Sequence, residues 1–182
     1  MKKIKTKWRI IAACIVVFLA LTSYHKGPWH GTVVDAVTGK PLEGVVFVAV
    51  WSKDIYGSPG GPSTYYLDAE ETVTDSKGEY NIPSKFYLSI PVFRVVLEPD
   101  LTFFKPGYKS LNFHYAKKDA DDYLYMKVEL TPLTNKAERL KSLHFSENLG
   151  PSVPKYKIRN FIHTVNIENR NLGLPEYPEA GQ

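Results

Sequence analysis

Short apolar runs separated by glycine and proline fill the middle of the chain, and this pattern predicts β-strands. Residues 30–35 and 45–51 are rich in β-branched and aromatic side chains, which suit a pleated, half-buried surface. Between them, Gly39 can adopt a positive φ at no steric cost, and Gly44 lets the chain re-enter the sheet. The stretch 31–50 therefore predicts a hairpin-like unit, which needs further strands to cover its apolar face.

Turn residues and alternation predict a second hairpin and several later strands. Residues 71–76 alternate as a strand should, Asp75 to Gly78 reads as a turn, and 79–82 continue as the return strand. Four further runs predict strands: 91–98, 101–105, 110–115 and 123–130. The last of them alternates strictly between apolar and polar residues, which is typical of a strand with one buried face.

After Pro132 the apolar residues change from strand spacing to helix spacing. Thr134 is a suitable N-cap for a helix over residues 135–145. Residues 156–172 repeat apolar side chains at helical spacing, and Gly173 ends this second helix. The mixed charges on its polar face favour docking on the sheet, with a membrane surface or a dimer contact as the alternatives.

The start of the chain has the pattern of a segment that directs export. Residues 1–9 carry five basic side chains and no acidic one, and residues 10–21 carry no charge. This order is typical of a signal peptide. Residues 8–24, with Trp8 and Tyr24 at their ends, also fit an uncleaved transmembrane anchor at the lower limit of length. Both interpretations stay open, beside that of a buried core helix, and both exported forms place the rest of the chain outside the cytoplasm.

Charge and cysteine content narrow the class of protein. The chain has 23 basic and 19 acidic residues, which gives a formal net charge of +4. Five of the basic residues lie in the N-terminal segment, and without them the basic residues no longer outnumber the acidic ones. A near-neutral folded part does not support a nucleic-acid partner. Cys14 is the only cysteine, so no intramolecular disulfide can form. Its context formally resembles a lipobox, but the longer apolar run follows it, which favours a small apolar residue over a lipidated one.

Residues 52–69 predict a loop that is rich in glycine, proline and tyrosine, and long loops of this kind often carry binding. The candidate contact residues are Trp51, Tyr56, Tyr65 and Tyr66. Their rings suit carbohydrate or a protein partner, through apolar faces and polar edges. The alternative is that these aromatics fold back and seal the sheet edge. We expect Tyr65 and Tyr66 to be exposed if the loop is a contact surface.

Three sequence blocks follow one another in a fixed order: GTVVDAVTGKPLEGVVFV, TVTDSKGEYNI and LTFFKPGYKS. In this order they resemble the carboxypeptidase regulatory-like domain, a member of the transthyretin-like (prealbumin-like) β-sandwiches. Asp75, Gly78 and Tyr80 match the aspartate, glycine and aromatic of the second block, and Gly107 and Tyr108 match the third. The resemblance implies a seven-stranded Greek-key sandwich, usually an accessory or binding module of exported bacterial proteins. It transfers no catalytic residues to this chain.

Catalytic and metal-binding patterns are missing from the sequence. The five histidines are scattered, without a His-x-His or His-Glu-x-x-His pattern, and no Gly-x-Ser-x-Gly elbow occurs. The spacing of an EF-hand calcium loop is absent around Asp75. The sequence therefore predicts no metal, no cofactor and no catalysis. The alternative is an enzyme of transthyretin-like fold, either a metal-dependent dioxygenase or a small hydrolase.

Together these features predict a mainly β protein in three parts. They are an N-terminal hydrophobic export or anchor helix (1–25), the transthyretin-like sandwich (28–131) and an extension of two helices with a tail (132–182). A chain of 182 residues with 43% hydrophobic residues is large enough for one such core. The predicted role is an exported, periplasmic or envelope-associated module, anchored in the membrane through residues 8–24 if uncleaved, which binds protein or carbohydrate through residues 52–69.

Overall fold

The computed structural model describes residues 2–56, 61, 63–87, 94–113, 125–146, 149 and 153–178. These residues form a mainly β protein with a helix before the sheets and two helices after them. The strands are β1 Tyr24–Lys26, β2 Trp29–Asp35, β3 Val46–Ile55, β4 Ser63–Val73, β5 Glu79–Ile82, β6 Lys85–Tyr87, β7 Arg94–Val96, β8 Asp100–Phe104, β9 Leu111–Phe113 and β10 Tyr125–Leu130. The helices are α1 Lys2–Thr22, α2 Lys136–Ser146 and α3 Arg159–Leu172, with a 3₁₀ helix at Lys155–Lys157.

The described strands form two larger sheets and one short ribbon. The five-stranded sheet has the order β4-β3-β8-β9, and β7 also pairs with β3. The three-stranded sheet has the order β10-β2-β5, in which β10 runs parallel and β5 antiparallel to β2. The ribbon consists of β1 and β6. Apart from the β10–β2 pair, the strands therefore pair in the antiparallel sense.

The two larger sheets share an aromatic core. Phe47 and Phe103 of the five-stranded sheet stack with ring centroids 4.4 Å apart, and Tyr80 of the other sheet meets them edge-on. Trp29 and Trp51 make a second edge-to-face contact between the sheets at 5.3 Å. Burying a large apolar side chain contributes about 1.5–3 kcal/mol, so this core holds the sheets together as a sandwich-like unit.

Residues 46–51 of strand β3 are buried on both faces because a helix covers their outer side. Phe47, Ala49 and Trp51 face the core between the sheets, whereas Val46, Val48 and Val50 face α3. The α3 residues that cover these valines are Phe161, Ile162, Val165 and Leu172. The prediction that the second C-terminal helix docks on the sheet is therefore confirmed.

Glu71 of β4 fixes the start of α3 on the sheet. Its two carboxylate oxygens accept hydrogen bonds from the backbone amides of Asn160 and Phe161, at 2.8 and 2.9 Å. The first amides of a helix lack partners within the helix and carry a partial positive charge. The carboxylate therefore supplies from the sheet the cap that α3 does not supply itself, since no side chain caps it at Ile158.

Helix boundaries differ in detail from the predicted ones. In α2, the Asn135 side chain accepts a hydrogen bond from the Ala137 amide at 2.8 Å, so Asn135 is the N-cap and the prediction of Thr134 is wrong. Helix α3 begins three residues later than predicted because residues 155–157 form a 3₁₀ turn. It ends at Gly173, whose φ is 75°, as predicted.

Both predicted hairpins are wrong, because in each the two strands belong to different sheets. β2 lies in the three-stranded sheet and β3 in the five-stranded one, and β4 and β5 are divided in the same way. The intervening turns carry the chain from one sheet to the other. Turn residues set the local direction of the chain, while tertiary packing decides which strand pairs with which.

The four later strand predictions correspond to β7, β8, β9 and β10, and β8 has the predicted length but begins one residue earlier. Residues 91–93, 114–115 and 123–124 lie outside the described residues. In β10, Val128 and Leu130 are buried while Lys127 and Glu129 are exposed. The predicted alternation of this strand is therefore confirmed over these positions.

The N-terminal segment is a helix whose apolar side chains are exposed. Trp8 is 68% exposed in α1, and Ile11 and Phe18 are each 50% exposed. Cys14 is also exposed. Among the helices that the structure describes, none combines the length and the apolar character needed to cross a membrane.

Candidate functional site

Strands β3 and β4 form a long antiparallel hairpin where the sequence predicted a loop. Residues 52–55 pair with residues 63–66, so the loop prediction is wrong for these positions. Residues 57–60 and 62 lie outside the described residues. The register shifts after Trp51, which leaves Leu67 without a cross-strand partner. Such a bulge interrupts the period-two pattern by which the sequence would have revealed a strand.

Trp51 faces the core between the sheets and has no exposed surface. Its ring contacts Trp29 at 5.3 Å and Tyr87 at 6.0 Å. A ligand at the surface cannot reach this side chain, which corrects its assignment as a contact residue. Composition could not reveal this, because a tryptophan beside a glycine-rich stretch fits either place.

The exposed aromatic surface lies at the far end of the hairpin. Tyr65 is 50% exposed, Tyr56 is 43% exposed and Ile55 is 38% exposed. Tyr66 is half-buried and packs beside the α3 core. Tyr65 and Tyr66 differ because successive strand residues point to opposite faces. We call Ile55, Tyr56 and Tyr65 the hairpin-tip surface.

A cluster of charges surrounds Asp68, further along β4. Its carboxylate accepts a hydrogen bond from the Tyr87 hydroxyl at 2.8 Å and pairs with Lys157 at 2.9 Å and with Lys85 at 3.4 Å. Burial by itself would raise the pKa of Asp68, but the bonds from Lys157 and Tyr87 outweigh it and lower this pKa. The bond to Asp68 raises the pKa of Lys157. Both groups are therefore held in their charged forms.

Lys85 completes this cluster. Its ammonium also pairs with Glu70 and lies 5.9 Å from the ring centroid of Trp51. Burial, followed by the bond to Asp68, raises the pKa of Tyr87, so its hydroxyl stays protonated. The cluster joins β4, β6 and the 3₁₀ helix. Its two lysines and two carboxylates compensate one another, so the cluster carries no net charge. Sequence reasoning missed it, since its members are spread over residues 68–157.

We expect Asp68 to make stability depend on acidity. Its folded pKa lies below the ordinary value of 3.8, so its stabilising effect is present above about pH 4 and disappears as the pH falls through the folded pKa. Asp68→Asn should lower the unfolding free energy at pH 7 and weaken its decrease between about pH 4 and pH 2. Urea unfolding followed by tryptophan fluorescence at several pH values measures both effects.

Glu129→Gln provides the matched control for this experiment. Glu129 pairs with Lys127 at 3.1 Å, but both side chains are more than half exposed, so the pair contributes little in water. An Asp68→Asn variant whose stability follows the wild-type pH profile would show that the cluster does not control acid sensitivity.

The residues assigned to turns have the geometry that such turns require. Positive φ values of 68°, 73°, 73° and 78° occur at Gly39, Gly44, Gly78 and Gly107. Asp75 accepts hydrogen bonds from the Lys77 and Glu79 amides, each at 2.9 Å. A short polar side chain that bonds its own following backbone stabilises a tight turn.

Two cavities lie away from the hairpin tip. A depression of about 610 Å³ lies over the outer face of β2 and β5, beside His30, Thr32 and Asn81. A groove of about 760 Å³ lies between α2 and the segments that contain Lys109 and Leu133. Neither is lined by Tyr56, Tyr65 or Tyr66.

Neither a metal-ligand cluster among the described residues nor a similarity to a known protein assigns a reaction to these surfaces. Within the part of the chain that the structure describes, no three His, Cys, Asp or Glu side chains come together as metal ligands. The chain matches no protein-family model, and no curated protein is significantly similar to it.

Proposed function

We propose that this chain is an exported, non-catalytic binding module that contacts a partner protein through the hairpin-tip surface. The carrying observation is the exposure of Ile55, Tyr56 and Tyr65 at one end of the β3–β4 hairpin. Rigid aromatic side chains lose little entropy on binding and are enriched in protein interfaces. The neighbouring Asp68 cluster supports the tip by holding β4 against β6.

A protein partner fits this surface better than a carbohydrate does. Carbohydrate and other small ligands are usually held in concave sites, and the two cavities described above are lined by other residues. The exposed side chains of the hairpin-tip surface line neither cavity, and they suit a groove in another protein. The Thr64 hydroxyl donates to Asp54 at 2.7 Å, which links the two strands just behind the tip.

The proposal places the protein outside the cytoplasm, in the periplasm or at the envelope. The basic start and the apolar stretch that follows support export, whether α1 is removed as a signal peptide or retained as an anchor. The three sequence blocks support a seven-stranded Greek-key sandwich of the carboxypeptidase regulatory-like type. Modules of this kind serve as accessory or binding parts of exported proteins, which agrees with the role proposed for the hairpin tip.

Site-specific crosslinking tests the proposed surface. A photoreactive benzoylphenylalanine at position 65 of the full chain should give one prominent crosslinked protein in an envelope extract. The same residue at Val37, which is 75% exposed in the turn before β3, serves as the control and should not give this product. Equal products from both positions, or none from position 65, would contradict the proposal.

Two further measurements distinguish a protein partner from the two alternatives, which are a carbohydrate ligand and an enzyme of transthyretin-like fold. Binding of the labelled full chain to a glycan array, lost in Tyr65→Ala, would replace the protein partner with a carbohydrate. Stoichiometric iron or zinc in the purified protein would favour the enzyme of transthyretin-like fold instead. The proposal expects neither result.

A further inference from the structure

The groove beside α2 has the size and the wall of a small-molecule site. Its volume of about 760 Å³ lies within the range of roughly 300–1,000 Å³ for ligand pockets. One wall is formed by α2 through Lys141 and Ser142, and the other by Lys109, Ser110 and Leu133. The wall is mostly apolar, because Leu133 and the aliphatic stems of the lysines supply it.

Two buried serines hold the walls of this groove in place. Ser110 is 3% exposed and Ser142 is 7% exposed. The Ser110 amide donates to the Ser142 hydroxyl at 2.7 Å, and the Ser110 hydroxyl donates to the Ser142 carbonyl at 2.8 Å. These two bonds tie α2 to the segment before β9. The two walls of the groove are therefore held together by hydrogen bonds within the protein, as a preformed site requires.

The rim of the groove carries more positive than negative charge. Lys109 and Lys141 are both exposed and line the groove. Among the described residues, neither lysine takes part in any of the ion pairs of the structure. Glu138 is the one carboxylate among the lining residues. Two cations and one carboxylate leave a net positive charge above the apolar wall, which is complementary to a ligand with an apolar body and a single anionic head.

We propose that this groove binds a small amphiphilic carboxylate, with its carboxylate between Lys109 and Lys141 and its apolar body along Leu133. Such a carboxylate gains two charge-assisted contacts, and its chain replaces water over the apolar wall. A neutral alcohol lacks the charge-assisted contacts with the lysines, and a cationic amphiphile is repelled by both lysines. The site is separate from the hairpin-tip surface, and it does not depend on the function proposed there.

Titration calorimetry with decanoate below its micelle concentration tests this site on the full chain. We expect saturable binding of one decanoate per chain, weakened at least about fivefold in Lys141→Glu and further in Lys109→Glu/Lys141→Glu. Decanol should bind more weakly than decanoate. Decyltrimethylammonium should show no saturable binding to the wild type. Both lysines are exposed, so these variants should keep the wild-type unfolding midpoint.

Lys136→Glu is the matched control, because Lys136 is exposed on the same helix and does not line the groove. It makes the same charge change and should bind decanoate as the wild type does. Exposed apolar residues of α1 could also take up decanoate, but that binding would be insensitive to Lys141. Equal affinity in the wild type and Lys141→Glu, or equal weakening in Lys136→Glu, would overturn the proposal. A failed crosslink at position 65 would leave this result unchanged.

Discussion

Gly78→Ala is expected to lower the free energy of unfolding by about 3–4 kcal/mol. Gly78 has a φ of 73°, which is strained for any residue with a side chain. An added Cβ would also lie 2.4 Å from the Val33 carbonyl oxygen, so the turn and β2 would have to separate. That separation would weaken the hydrogen bond from the Val33 amide to the Gly78 carbonyl. Urea unfolding of the purified variant measures the loss.

Gly39→Ala separates the cost of the positive φ from the cost of the close contact between the added Cβ and β2. Gly39 has nearly the same φ, 68°, but an added Cβ would meet no atom within 4 Å. Its cost is therefore the backbone strain alone, about 1 kcal/mol. If both variants unfold at the same urea concentration, the close packing of Gly78 against β2 does not contribute to stability. The sequence by itself suggests similar costs for the turn glycines, since it shows their φ requirement and not their surroundings.

Arg139→Met is expected to destabilise the protein by about 3 kcal/mol, because it leaves the Glu168 carboxylate buried without its partner. Glu168 is 2% exposed. The Arg139 guanidinium donates to its two oxygens at 2.8 and 2.6 Å, a bidentate pair between α2 and α3. The bond to Glu168 raises the pKa of Arg139. Thermal and urea unfolding at pH 7 measure the loss.

An exposed ion pair of the same chemistry provides the control. Arg170 donates to Glu176 at 2.6 Å, but the two side chains are 50% and 44% exposed, so Arg170→Met should cost less than about 1 kcal/mol. The double variant Arg139→Met/Glu168→Met should regain much of the stability, since it removes the unpaired buried charge. A loss in Arg139→Met no larger than in Arg170→Met would show that burial of Glu168 is unimportant.

Local patterns predicted the elements more reliably than their pairing. The alternation in β10 and the helical spacing of α3 each depend on a period that one element repeats by itself. The pairing of β2 with β10 joins residues about one hundred positions apart, for instance Gly31 with Met126. No local period carries that information. For the same reason, the local sequence predicts the turn at Gly78 but not that this turn joins strands of two different sheets.

The candidate site was predicted only in part. Tyr56 and Tyr65 lie on the exposed end of the hairpin, while Trp51 belongs to the core. The bulge at Leu67 and the two faces of β4 decide which aromatic side chain points outward. The groove beside α2 could not be predicted, because its walls come from residues 109–110, 133 and 138–144. None of these three stretches has a distinctive composition.

The sequence by itself determined the mainly β class, the helices at both ends and the positions of the tight turns. These depend on side-chain shape, on residue spacing and on the freedom of glycine, all of which act over a few neighbouring residues. Only the tertiary structure decided which strands share a sheet, which aromatics are buried and which charges meet around Asp68. These depend on contacts between distant segments, whose free energy arises only when the whole chain packs and excludes water.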